Sequence, residues 1–109
     1  MYETLAAALL AITGLPGAEY EWATRPAGNH LTVQLDFSAQ DDNGDDHHQD
    51  TSWEGSVDLY TVGKAWDVAA QVEEVLTAHC EGAWEMNSMQ YDRETGLIHR
   101  EYVFQLEEL

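Results

Sequence analysis

Residues 38–52, SAQDDNGDDHHQDTS, gather Asp41, Asp42, Asp45, Asp46, Asp50, His47 and His48 in one polar run. Carboxylates and imidazoles ligate divalent cations, so metal binding is the first chemistry to test. Adjacent residues rarely aim at one ion, and no flanking pattern supplies a scaffold to orient them. An EF-hand alignment with Gly44 at the sixth loop position leaves Ala39, which has no ligand, at the first, and no helices flank the run. The expectation is a solvated acidic loop, with no metal assigned. Cys80 has only His79 as an adjacent base, and chain neighbours on a helix point in different directions, so no thiolate–imidazole pair is expected. His30, His79 and His99 read as structural. Glu19, Glu21, Asp36, Asp58 and Glu101 fall on predicted strands, where two carboxylates side by side serve acid–base chemistry, but no spacing selects a pair. The chain shows no phosphate-cradling glycine loop, nucleophile elbow or zinc-ligand spacing. The sequence therefore predicts no catalytic residue, no cofactor and no enzyme.

Composition bounds the remaining classes. The chain has 109 residues, four basic against 21 acidic, and a formal charge of −17. That length predicts a single domain over 1–109, with a flexible acidic loop at about 38–52. The apolar share of 44% places it among folding sequences despite the charge. A basic patch that neutralises phosphates is excluded, and so is attraction to an anionic membrane surface. A lone Cys80 cannot form an internal disulfide, which fits a reducing compartment. No run reaches the length of a membrane span. Met1-Tyr2-Glu3-Thr4 carries an acid where a signal peptide carries base, so the expectation is a soluble intracellular protein.

The elements follow from periodicity. Residues 2–13 are rich in Ala and Leu and predict a helix with Leu5, Leu9 and Ile12 on one stripe, stopped by Gly14-Leu15-Pro16-Gly17. Between residues 5 and 12 nothing is polar, which suits either burial on several sides, for instance by a neighbouring subunit, or an alanine face that tolerates water. Residues 18–23 alternate Tyr20 and Trp22 against Glu19 and Glu21, a short strand. Residues 30–37 place Leu31, Val33, Leu35 and Phe37 on one face of a half-buried strand, and residues 54–61 resume the alternation with Val57 and Leu59. The acidic loop then caps a hairpin. A second helix over about 66–80 carries Val68, Val72, Val75, Leu76 and His79 inward, and Gln71, Glu73, Glu74 and Thr77 toward water. In 83–91, Trp84 and Met86 fall on one face and Met89 and Tyr91 on the other, with a bulge near Asn87-Ser88. After the turn Arg93-Glu94-Thr95-Gly96, residues 97–106 put Ile98, Tyr102, Phe104 and Leu106 on one face and Leu97 and Val103 on the other, as for a central or subunit-covered strand. The fold class is α+β, a mostly antiparallel sheet of about five strands with two helices packed on it, in the order α-β-β-β-α-β-β.

Gly55-Ser56-Val57-Asp58-Leu59-Tyr60-Thr61 with Lys64 and the helix after it resembles small tail proteins of long-tailed bacteriophages. So do Trp84, Met89-Gln90-Tyr91-Asp92, Thr95-Gly96-Leu97-Ile98-His99 and Glu101-Tyr102-Val103-Phe104, and the opening helix that ends in Gly14-Leu15-Pro16. The resemblance covers nearly the whole chain and is to tail terminator, tail completion and head–tail joining proteins. It implies a structural virion component at the head-proximal end of the tail, assembled in the host cytoplasm. The family's members form a ring, commonly a hexamer, that caps the tail tube, meets head-side connector proteins and lets DNA pass without specific binding. It implies no catalytic residues. The Asp/His loop 41–50 departs from the family pattern.

On this reading Leu5, Leu9, Leu10, Ile12, Trp53, Leu97 and Val103 are candidate subunit contacts. Asp41, Asp42, Asp45, Asp46 and Asp50 are candidate lumen or partner-facing acids, which repel DNA phosphates. Two alternatives account for the same charge. One is an acidic DNA mimic that inhibits a basic DNA-binding protein; the other is adaptation to high salt.

Overall fold

The computed structural model describes residues 1–38 and 52–107. The acidic loop, with Asp41, Asp42, Asp45, Asp46, His47, His48 and Asp50, therefore lies outside the described residues. The elements are α1 (Tyr2–Leu10), β1 (Gly17–Glu19), β2 (His30–Ser38), β3 (Trp53–Thr61), α2 (Trp66–Cys80), β4 (Trp84–Asp92) and β5 (Leu97–Leu106). They form an α+β fold in the expected order, with five strands arranged β1-β2-β3-β5-β4.

Alternation along the strands decides which face the helices cover. β2 and β3 pair as an antiparallel hairpin with Leu31 opposite Leu59 and Val33 opposite Val57. β5 lies between β3 and β4, with Tyr102 opposite Val57 and Phe104 opposite Gly55. These residues share one face with Leu106, and Leu5 and Leu9 of α1 and Ala69, Val72 and Leu76 of α2 close over it. Burying one such leucine contributes about 1.5–3 kcal/mol. Gly55 is required where Phe104 crosses it, because a Cβ there would stand 2.3 Å from the Phe104 ring and 2.6 Å from the Gln34 carbonyl oxygen. Two tyrosine hydroxyls pin the layers together. Tyr2 donates to Glu19 at 2.8 Å and Tyr102 to Glu73 at 2.6 Å, so Glu73 of the expected wet face is a partner of the core.

Three local departures from the sequence reading have physical causes. α1 ends at Leu10 rather than Thr13, because Ala11, Ile12 and Leu15 turn back through i→i+3 bonds and the chain reaches Gly14 at φ +78°. β1 stops at Glu19 because Tyr20 adopts φ +68°, which breaks the alternation read over 18–23. β1 also pairs parallel to β2, so the sheet is mixed, and residues 20–29 carry the chain back between two parallel neighbours. The third is in β4, where the expected bulge is present between Met86 and Ser88. Its effect is opposite to the reading. The extra residue restores the phase, so Trp84, Met86, Met89 and Tyr91 pair with Phe104, Tyr102, Arg100 and Ile98 and all face the helices' side.

Candidate functional site

The sheet face away from the helices carries the densest polar and aromatic cluster among the described residues. Register brings His30 of β2, Tyr60 of β3 and His99 of β5 into one row. Their rings stack, with centroids 4.9 Å apart for His30–Tyr60 and 4.3 Å for Tyr60–His99. Residues 20–29 return across this row. Trp22 meets His30 edge-on at 5.7 Å and donates its indole N–H to Thr32 at 3.1 Å. The Arg25 guanidinium lies 4.5 Å over the Tyr60 ring, and its Nε donates to His30 Nε2 at 3.3 Å.

Both histidines have protons assigned by their partners. His30 Nδ1 faces the Gly28 carbonyl at 2.8 Å and must donate, which leaves Nε2 to accept from Arg25. Burial holds the His30 pKa below the ordinary imidazole value; the Gly28 bond opposes that, and Arg25 adds to it. His99 Nε2 faces Asp58 Oδ1 at 2.8 Å, so it donates to the carboxylate. An imidazole oriented by a carboxylate is half of an acid–base device. Here its ring is also held against Tyr60.

A second feature lies at the β4 end of the sheet. Trp66, Met86 and Tyr91 are 61%, 42% and 62% exposed. Trp66 begins α2 and covers Arg100, 5.0 Å away, and Arg100 pairs in register with Met89. Met86, Met89 and Tyr91 thus continue from Trp66 along one face of a strand whose outer edge has no partner strand among the described residues. α2 reaches β4 near Trp84, whose indole donates to Thr77 at 3.0 Å, and leaves the Tyr91 end uncovered.

The predicted contact residues divide by exposure. Leu5, Leu9 and Leu97 are buried in the chain's own fold and have no surface left to offer a neighbour. Leu10 is exposed, and Ile12, Trp53 and Val103 are partly buried, with Ile12 and Trp53 packed against the core. Cys80 is buried beside an open cleft of about 560 Å³ that His79, Gln105 and Leu106 also line, and burial pushes its thiol up to about 11. Among the described residues, no group of three or more His, Cys, Asp or Glu could hold a metal ion. None of the described helices is long and apolar enough to cross a membrane.

Sequence reasoning missed Arg100, which is fully buried, donates to Thr61 at 3.2 Å and to the Lys64 carbonyl, and has an unsatisfied Nε. Its signal was present, since it is the charged member of the apolar phase Ile98, Tyr102, Phe104 and Leu106. The His30–Tyr60–His99 row had no such signal, because it depends on cross-strand register.

Neither a family model nor a curated protein matches the chain.

Proposed function

We propose that this chain is a structural virion protein, a tail terminator or head–tail joining component. It forms a ring, taken as hexameric, that caps the tail tube and lets DNA pass. Its partners are further copies of itself, the tail tube protein and head-side connector proteins, and its place is the head-proximal end of the tail. The resemblance supplies that setting. The observation that supports self-association is the apolar face made by Trp66, Met86, Met89 and Tyr91 beside the β4 edge, which has no partner strand among the described residues. Copies at −17 each repel one another, so contact between them needs apolar surface that displaces water, and large aromatics are the side chains that dominate such contacts. Of the sequence candidates, Leu10, Ile12, Trp53 and Val103 retain surface for the remaining contacts.

The test combines negative-stain imaging with light scattering over a wide concentration range, with and without tail tube protein. Rings are expected from the wild type. The double variant Trp66→Ser, Tyr91→Ser is expected to stay monomeric with an unchanged circular dichroism spectrum. A wild type that stays monomeric throughout, tail tube protein present, overturns the reading.

A further inference from the structure

We propose that His30 is an acid-sensitive latch: a proton taken up at its Nε2 releases the crossover segment 20–29 from the open face of the sheet. This goes beyond the assembly reading and does not depend on it.

The geometry leaves His30 no place for a second proton. Nδ1 is committed as a donor to the Gly28 carbonyl, and Nε2 receives the Arg25 Nε–H. A proton on Nε2 turns that contact into donor against donor and sets an imidazolium beside a guanidinium. The ring itself is fully buried, so water cannot solvate the new charge while the segment stays in place. Across the sheet His30 meets the Tyr60 ring; Asp58, two residues before Tyr60 on the same face of β3 and opposite Thr32, is the carboxylate the register sets diagonally to His30, and it is engaged by His99. The charged groups facing His30 are therefore Arg25 from segment 20–29 and, from β3 and β5, Asp58 with the His99 that engages it.

Between Tyr20, whose N–H donates to the Val33 carbonyl at 3.0 Å, and Asn29, the segment is held by contacts that centre on this ring. Trp22 touches it edge-on, Arg25 bridges it to Tyr60, and Gly28 accepts its proton, while Asn29 accepts the Val62 N–H at 2.7 Å from the far end. Arg25 leaving Nε2 removes the bridge, and the charged ring, which needs water, then opposes the edge contact by which Trp22 covers it. Release uncovers His30, Thr32 and Tyr60.

The sign follows from linkage. The latched pKa lies below that of a solvated histidine, so the latch is fully held above the ordinary imidazole pKa of about 6.5. As pH falls below that value, the released fraction rises by up to about tenfold per unit, until the latched pKa is reached.

The Trp22 indole N–H reports the segment, and the Trp84 indole N–H, bonded to Thr77, is an internal control. Hydrogen exchange of both is followed by NMR from pH 7.5 to 4.5 and corrected for the intrinsic pH dependence of exchange. Protection of Trp22 is expected to fall at least tenfold across this range and that of Trp84 to stay constant. His30→Gln, which cannot titrate, is expected to make the Trp22 profile flat, and His99→Gln to leave its slope intact. Arg25→Met supplies a second measurement that needs no change at His30, namely an upward move of the His30 titration midpoint. A flat wild-type profile, a slope that survives His30→Gln or disappears in His99→Gln, or an unmoved midpoint in Arg25→Met overturns the latch.

Discussion

Arg100 shows how volume and charge separate at one side chain. Its stem fills space between β5 and the start of α2, yet among the described residues no carboxylate lies within ion-pair distance. Thr61 keeps a partner without it, because its hydroxyl also donates to the Gly63 carbonyl at 2.8 Å. Arg100→Met, which keeps the volume, is therefore expected to fall within about 1 kcal/mol of wild type or above it, as for other buried ionic groups replaced by apolar ones. Arg100→Ala is expected to lose roughly 2–4 kcal/mol through the cavity it leaves. Urea unfolding of the two variants checks both. Gly55→Ala fails for the opposite reason, since its methyl meets ring and backbone, and about 1–3 kcal/mol of destabilisation is expected in the same assay. Cys80 is expected to be inert to disulfide reagents at pH 8 in the folded protein and to react at once on unfolding, because burial raises its thiol to about 11.

Among the elements, α2 and β5 were legible almost to the residue. α2 has an unbroken 3.6-residue stripe, and β5 alternates buried and more exposed residues from Arg100 to Leu106. The limits of β1 were not legible, because a tyrosine at φ +68° is set by its surroundings and not by its type. In β4 the bulge was legible and its consequence was not. Alternation alone places Met89 and Tyr91 on the far face, and only pairing with β5 shows that one unpaired residue brings them back. The candidate site was least legible of all. Its histidines, Tyr60 and Arg25 are scattered in sequence, and register plus a parallel crossover brings them together. The α2–β4 tie is a testable detail at this scale: Trp84→Phe keeps an aromatic side chain but removes the pyrrole half of the indole with its bond to Thr77, and a loss of at least about 1 kcal/mol is expected by thermal unfolding.

For the whole molecule the charge of −17 sets the response to salt. Added salt screens repulsion between like copies, so self-association is expected to strengthen between about 20 and 300 mM salt. Binding of a basic partner by a DNA mimic has the opposite slope, so sedimentation velocity against ionic strength separates the two readings. The two borders of the sheet add a constraint of their own. β4 is long, antiparallel to its neighbour and flanked by Tyr91, whereas β1 is three residues long, parallel to its neighbour and followed by exposed Tyr20. Two β4 edges meeting antiparallel are related by a twofold axis, and such a contact is complete after two copies. A cyclic assembly of higher order must instead set the β4 patch of one copy against a different surface of the next, and the β1 border, with Tyr20 and Leu10, is the unlike apolar surface at the other end of the sheet. Handedness and closure then reside in a head-to-tail contact, and a copy altered only at Tyr91 still accepts a neighbour on its intact side. Mixed with wild type, it should stop growing chains from closing into a ring.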